Sequence, residues 1–408
     1  MKRTIDNLAI FSGQPSFKEK LHVGRPNLGN TQRFLERTQD ILERRWFSNN
    51  GHYVQEFEKE LAKLLGVKHC IVMCNATVAL EITIRALGLK GEVIVPSFTF
   101  VATAHALQWQ EITPVFCDID PETHLLDPAC VEKMITPRTS GIIGVHLWGR
   151  PCAIEALTDI AERFHLQLMF DAAHAFACSH RGKMIGNFGR AEVFSFHATK
   201  FFNTFEGGAV ATNDDALAEK IRLMKNFGFR GYDNVIYIGT NGKMNELSAA
   251  MGLTGLESLN EFIAVNRENY SAYKERLRSI PGVKTAVYDE KEKCNFHYVI
   301  AEVDQDKAGL SRDELLAILH AENVLARRYF YPGCHQMEPY RSYFPHAHLL
   351  LKNTEALTQK VLSLPNGTSI SAPQIQEVCD IIECAVHHAP EIKKRFLKTQ
   401  PASVSARK

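Results

Sequence analysis

The sequence predicts an α/β fold: a mainly parallel, mixed sheet sandwiched by helices, followed by a smaller C-terminal α/β domain. Three observations predict it. Between residues 69 and 212, short apolar runs of strand length alternate with helical patterns, the order that builds parallel sheets with helices on both faces. Polar residues suited to holding a ligand fall where those runs end, and open parallel sheets bind ligands at the carboxyl ends of their strands. At 408 residues the chain exceeds one small core and suits a large domain plus a smaller one.

Residues 1–30 carry Gly and Pro without strong periodicity and are expected to form an arm on the small domain. Residues 31–45 are helical in pattern and 47–51 form an Asn- and Gly-rich turn. Apolar residues at Val54, Phe57, Leu61, Leu64 and Leu65 then mark an amphipathic helix. Residues 69–74 read as a strand that feeds through Asn75, Ala76 and Thr77 into a helix over 78–87. Such a helix start offers free N–H groups and a positive dipole end to an anion. Further strands are expected at 92–96, 112–118, 141–146, 166–171 and 208–212, with helices through Trp109, over 154–164 and over 214–224. Residues 226–241 are Gly- and Asn-rich and irregular, and one long helix over 246–277 is expected to bridge the domains. The large domain thus covers 31–278. The small one, 279–392, holds a strand at 298–303, a helix at 312–320, a loop over 327–343 and a last helix at 375–387. The Lys-, Ala- and Ser-rich tail over 393–408 reads as disordered.

Composition excludes several functions. With 47 basic and 46 acidic residues the net charge is +1, which leaves no electrostatic footprint for nucleic acid or a membrane surface. No apolar run reaches the length of a membrane span, and the N-terminus lacks the features of a signal peptide. The ten cysteines are scattered without a CxxC pair, which argues against a metal site and for reduced thiols in a cytoplasmic protein.

The chemistry concentrates in two stretches: FDAAHA over 170–175, an apolar strand ending in Asp171, and FSFHATKFFNTFEGG over 194–208, which holds Lys200 among aromatics. A lysine that can form a Schiff base and an acid that can keep a pyridinium nitrogen protonated are what a pyridoxal 5'-phosphate (PLP) site needs. These stretches, in this order, resemble the DegT/StrS sugar-nucleotide aminotransferases, and the resemblance runs from about Arg25 to Ile382. It implies the fold-type I, aspartate aminotransferase-like architecture, with Lys200 as the catalytic lysine and Asp171 as the pyridinium partner. It also implies a phosphate cradle from Ala76 and Thr77 with Ser195, an aromatic face from Phe100, and His174 against the phenolic oxygen. In the family the active site lies at a homodimer interface, and a partner loop brings an Asn; Asn226 and Asn241 are the candidates here. The loop RRYFYPGCH over 327–335 suggests Arg327, Arg328, Tyr329, Tyr331 and His335 for the donor carboxylate or the nucleotide diphosphate.

Some relatives carry His in place of the lysine and act as dehydratases, so Lys200 favours transamination. The expected reaction takes an amine from L-glutamate through PLP to a nucleotide-linked keto-sugar. The wording RYFYPGCH, GTNGKM and FCDID resembles the branch that converts dTDP-4-keto-6-deoxy-D-glucose to dTDP-4-amino-4,6-dideoxy-D-glucose. A 3-keto sugar nucleotide, an elimination reaction and a non-catalytic sensor are the competing readings.

Overall fold

The structure is a computed structural model that describes residue 2 and residues 4–399. Its centre is a seven-stranded sheet of β1 (His69–Met73), β2 (Glu92–Pro96), β3 (Thr113–Cys117), β4 (Thr139–Val145), β5 (Gln167–Asp171), β6 (Glu192–Ser195) and β7 (Gly208–Thr212). The spatial order is β1-β7-β6-β5-β4-β2-β3. Neighbours from β6 to β3 pair in parallel, and β7 runs antiparallel to both β6 and β1. The sheet is therefore mixed but mainly parallel.

Side-chain alternation along these strands feeds two separate cores. Cys70, Val72, Ile94, Ile142, Leu168, Phe170 and Phe194 face one, with Phe57, Leu61 and Leu157 from the helices His52–Leu65 and Ile154–Arg163. Ile71, Met73, Val93, Val95, Ile143, Met169 and Val193 face the other, with Leu80, Leu107 and Ile221 from the helices Ala76–Leu87, Ala102–Gln108 and Asp215–Met224. Burial on both faces explains why the strands read as unbroken apolar runs.

A second, three-stranded antiparallel sheet follows, in the order β8 (Val283–Thr285), β9 (Val299–Val303), β10 (Val361–Leu364). With the helices Arg312–Ala321 and Ala372–His387 it builds a third core, which also takes in Ile5, Leu8, Phe17 and Leu21 from the N-terminal arm. The Glu322 carboxylate accepts hydrogen bonds from the backbone N–H of Ala9 and of Ser16, both at 2.8 Å, which ties the arm to this unit.

Two expectations need correction. The helix expected over 246–277 is two helices, Glu246–Glu257 and Leu259–Leu277, broken at Ser258 (φ −105°, ψ 6°). The first helix packs closely on the helix His52–Leu65, where Gly252 faces Phe57 with no room for a Cβ, and Gly255 faces Phe202 beyond the Lys200 turn. The second helix then places Leu259 and Phe262 in one core and Tyr270, Tyr273 and Leu277 in another. The tail expected to be disordered from 393 is helical over its first part, within the helix Ala389–Thr399, and the rest of that expectation lies outside the described residues. The short helix Pro128–Met134 and strand β10 carry too few residues to show a period in the sequence.

Candidate active site

Strand β5 ends in Asp171, which is buried. Its Oδ2 accepts from Thr103 Oγ1 at 2.8 Å and its Oδ1 from the Ala173 N–H at 3.0 Å. Burial raises the Asp171 pKa, against the pull of those two donors and of the Lys200 charge. No cation bonds it directly among the described residues, so a protonated ring nitrogen would meet an unmet need.

Lys200 follows β6 on a turn whose N–H bonds back to His197 O. Its amine is sunk between the two units, and burial lowers its pKa to about 8, opposed by the Asp171 carboxylate. The Nζ donates to Tyr298 Oη at 3.2 Å. A lysine poised this way is neutral often enough near physiological pH to act as a nucleophile or base.

His174 is buried beside both. Its Nδ1 accepts the Trp148 N–H at 3.3 Å, which leaves the ring proton on Nε2. Burial, then the neighbouring Lys200 charge, keeps the imidazole neutral. Trp148 reaches it from a left-handed backbone (φ 62°, ψ 7°), an uncommon conformation for a bulky residue, and stacks on the His174 ring with centroids 5.7 Å apart.

The anion cradle forms where β1 turns into the helix Ala76–Leu87. Asn75 caps the helix through an Oδ1 bond from the Val78 N–H at 2.8 Å. The N–H groups of Ala76 and Thr77 have no acceptor among the described residues. Gly208 lies against this turn so closely that a Cβ would sit 2.7 Å from Ala76 N. Ser195 is the β6 residue in register with Gly208, which brings its hydroxyl to the same end of the sheet.

One cleft of about 340 Å³ gathers most of the expected site: Ala76, Thr77, Phe100, Asp171, His174, Ser195, Lys200 and Tyr329 all line it. Phe100 is largely exposed to the cleft, whereas Phe98 is core, in edge contact with Trp148. Arg328 and Tyr331 line a second cleft of about 530 Å³, which shares Phe100, Arg327, Tyr329 and Phe330 with the first. Arg328 stacks over the Tyr331 ring at 4.3 Å.

The structure does not bring every expected residue in. His335 lines neither cleft: it is buried, with Nδ1 bonded to Ser97 Oγ at 2.7 Å and Nε2 to Glu355 at 2.6 Å, so it clamps the loop to the end of β2. Asn226 and Asn241 pair with each other through a backbone bridge outside this chain's cleft, and Asn226 Oδ1 accepts from Lys243. Thr103, Trp148 and Tyr298 contact the site without having been singled out. Trp148 sits in a turn that shows only as a Trp-Gly-Arg-Pro signal, and Tyr298 lies just before strand β9 of the other unit with no local mark of function.

Residues 29–383 match the DegT/DnrJ/EryC1/StrS aminotransferase family. A Shigella dysenteriae protein named dTDP-4-amino-4,6-dideoxy-D-glucose transaminase is 39% identical over 376 residues, spanning 92% of this chain and 100% of that protein. A Caulobacter vibrioides GDP-perosamine synthase is 34% identical over 367 residues, 88% of this chain and 96% of that one. The crystal structure of DesI in the presence of its TDP-sugar product superposes with a TM-score of 0.93 at 48% identity, covering 97% of this chain and 100% of that chain. The strand-end acid, the desolvated lysine and the shared extent of these matches agree, and the chain belongs to the DegT/DnrJ/EryC1/StrS aminotransferase family.

Proposed function

We propose that this chain is a PLP-dependent transaminase that moves the amino group of L-glutamate onto C4 of dTDP-4-keto-6-deoxy-D-glucose, giving dTDP-4-amino-4,6-dideoxy-D-glucose. The observation that carries the reading is the convergence of Lys200, Asp171 and the free Ala76 and Thr77 N–H groups on one cleft. The residues fit PLP. The helix start, hemmed in by Gly208, and Ser195 would hold its phosphate. Asp171 would hold the ring nitrogen protonated, Phe100 would offer a flat face, and His174 would present Nε2–H beside the ring. Bound PLP supplies the electron sink that transamination requires. Lys200 then takes a proton from the carbon that bears the amine and returns it on the other side of the transfer, a task suited to an amine with a pKa of about 8.

The adjoining cleft, with Arg327, Arg328, Tyr329 and Tyr331, has the charge and aromatic surface for a nucleotide diphosphate and for the glutamate carboxylate. The sugar identity rests on the names of the Shigella protein and its like. A homodimer is part of the reading, with Asn226 or Asn241 serving the partner's site. A cytoplasmic location is too: all ten cysteines are free thiols, the state a reducing compartment maintains.

The test is the visible spectrum of the protein with PLP before and after L-glutamate, followed by turnover on dTDP-4-keto- and dTDP-3-keto-6-deoxyglucose. Expected are a visible band that glutamate bleaches, an aminated 4-keto substrate, and loss of turnover by more than about 10³-fold in Lys200→Ala. Absence of the band, or normal turnover in Lys200→Ala, would overturn the cofactor assignment; amination of the 3-keto substrate alone would overturn the sugar.

A further inference from the structure

The Lys200 amine has one hydrogen-bond partner among the described residues, Tyr298 Oη at 3.2 Å. Lys200 stands on the large sheet's β6 turn, whereas Tyr298 immediately precedes β9 in the other unit, so this bond crosses the cleft. Tyr298 is held tightly. Its carbonyl accepts from Tyr288 Oη at 2.6 Å, and its ring packs against His174 at 4.3 Å and Trp148 at 5.3 Å between centroids. The contact with Lys200 is at the hydroxyl: the Nζ lies 5.9 Å from the ring centroid, so the phenol oxygen, not the ring face, meets the amine.

The surrounding charges make this contact matter. His174 and His297 both feel the Lys200 charge, and burial keeps both neutral, His297 down to about 3. Among the described residues, Asp171 is the one charged group that favours the ammonium form of Lys200. Tyr298 in turn faces Tyr329, Arg327 and Asp171, and burial holds its hydroxyl protonated. A neutral hydroxyl can accept from an ammonium and donate to a free amine, and the charge-assisted bond to the ammonium is the stronger, so it holds Lys200 in both states and favours the protonated one.

We propose that Tyr298 is a positioning residue whose hydroxyl berths the Lys200 amine whenever that amine is not covalently engaged, and so sets how readily Lys200 holds a proton. This rests on the transaminase reading for its purpose, though not for its test, because the berth is a property of the chain alone. In a transaminase, Lys200 is set free in every cycle, and a free lysine without a partner would lose both its place and, by desolvation, its proton.

The experiment is competitive acetylation of the full-length chain, freed of small molecules, across a pH series, with the Lys200 peptide quantified by mass spectrometry. In the parent, Lys200 labelling is expected to titrate near pH 8. In Tyr298→Phe, losing the acceptor removes a stabiliser of the ammonium, so the Lys200 midpoint is expected to fall by about one pH unit while other lysines keep theirs. An unchanged or raised midpoint in a folded Tyr298→Phe variant would overturn the proposal. Should that variant fail to fold, 3-fluorotyrosine at position 298 keeps the shape and weakens the acceptor. A smaller fall in the same direction is then expected, and no fall overturns the proposal. A band with PLP that bleaches with glutamate, but no midpoint change, would reject the berth and leave the transaminase standing; the reverse pair of results would do the opposite.

Discussion

At Lys200 the surroundings decide the chemistry. Only the unprotonated amine attacks an aldehyde, and burial has brought its titration down to about 8. The rate at which the chain captures PLP should therefore rise with pH up to about 8, falling about tenfold for each pH unit below it, and then level off. Stopped-flow absorbance at fixed PLP would show this, and a rate still climbing steeply at pH 10 would mean an undisturbed lysine. Lys200 and Asp171 were legible because an acid closing an apolar run and a lysine among aromatics are unusual local patterns. Tyr298 was not: its relation to Lys200 exists only once two units fold against each other, and nothing in FHYVI marks it.

Among elements, two loops do most of the placing. The turn from β1 into the helix Ala76–Leu87 can approach β7 only because Gly208 has no side chain. Gly208→Ala would press a methyl onto the Ala76 amide and should loosen PLP at least about tenfold while costing about 1–3 kcal/mol of stability, measurable as Kd and Tm. Unaltered PLP affinity would show that the phosphate sits elsewhere. The second loop, after β2, is locked by the Ser97–His335–Glu355 chain of hydrogen bonds. His335→Ala strands the buried Ser97 hydroxyl and should cost about 1–3 kcal/mol with KM for the sugar nucleotide unchanged. A raised KM with an unchanged Tm would restore the substrate role that composition suggested. That role misled because a His between Gly-Cys and Gln-Met reads the same whether it points outward or into the protein. Element types were largely readable from periodicity; the break at Ser258 was not, because helical patterning continues on both sides of it.

Across the whole molecule, the proposed homodimer would need an apolar surface to bury, and one is exposed. Leu35 and Leu42 lie seven residues apart on the helix Thr31–Arg44, both more than half exposed, and Trp46 and Phe47 just beyond its end are exposed as well. The segment after Asn226 adds Ile238 and a nearly fully exposed Tyr232. Replacing Leu35 and Leu42 together by Glu should shift sedimentation toward the mass of one chain and lower turnover with it. A dimer that survives the change would place the interface elsewhere. The mixed sheet, the helices and the strand-end location of the site were legible because they follow from alternation and order; the packing of the arm on Glu322 was not, because its partners lie about 300 residues apart.

The alternation that sends neighbouring residues of each strand into different cores has one more consequence. A slip of a single position along β1, β5 or β6 would trade the inventory of one core for that of the other, and no small adjustment could repair it. Insertions and deletions are thereby pushed out to the connections. Asp171 and Ser195, each the last residue of its strand, inherit a fixed address from that arithmetic, so the distance between the acid and the cradle is set by the sheet and not by the loops that surround the substrate.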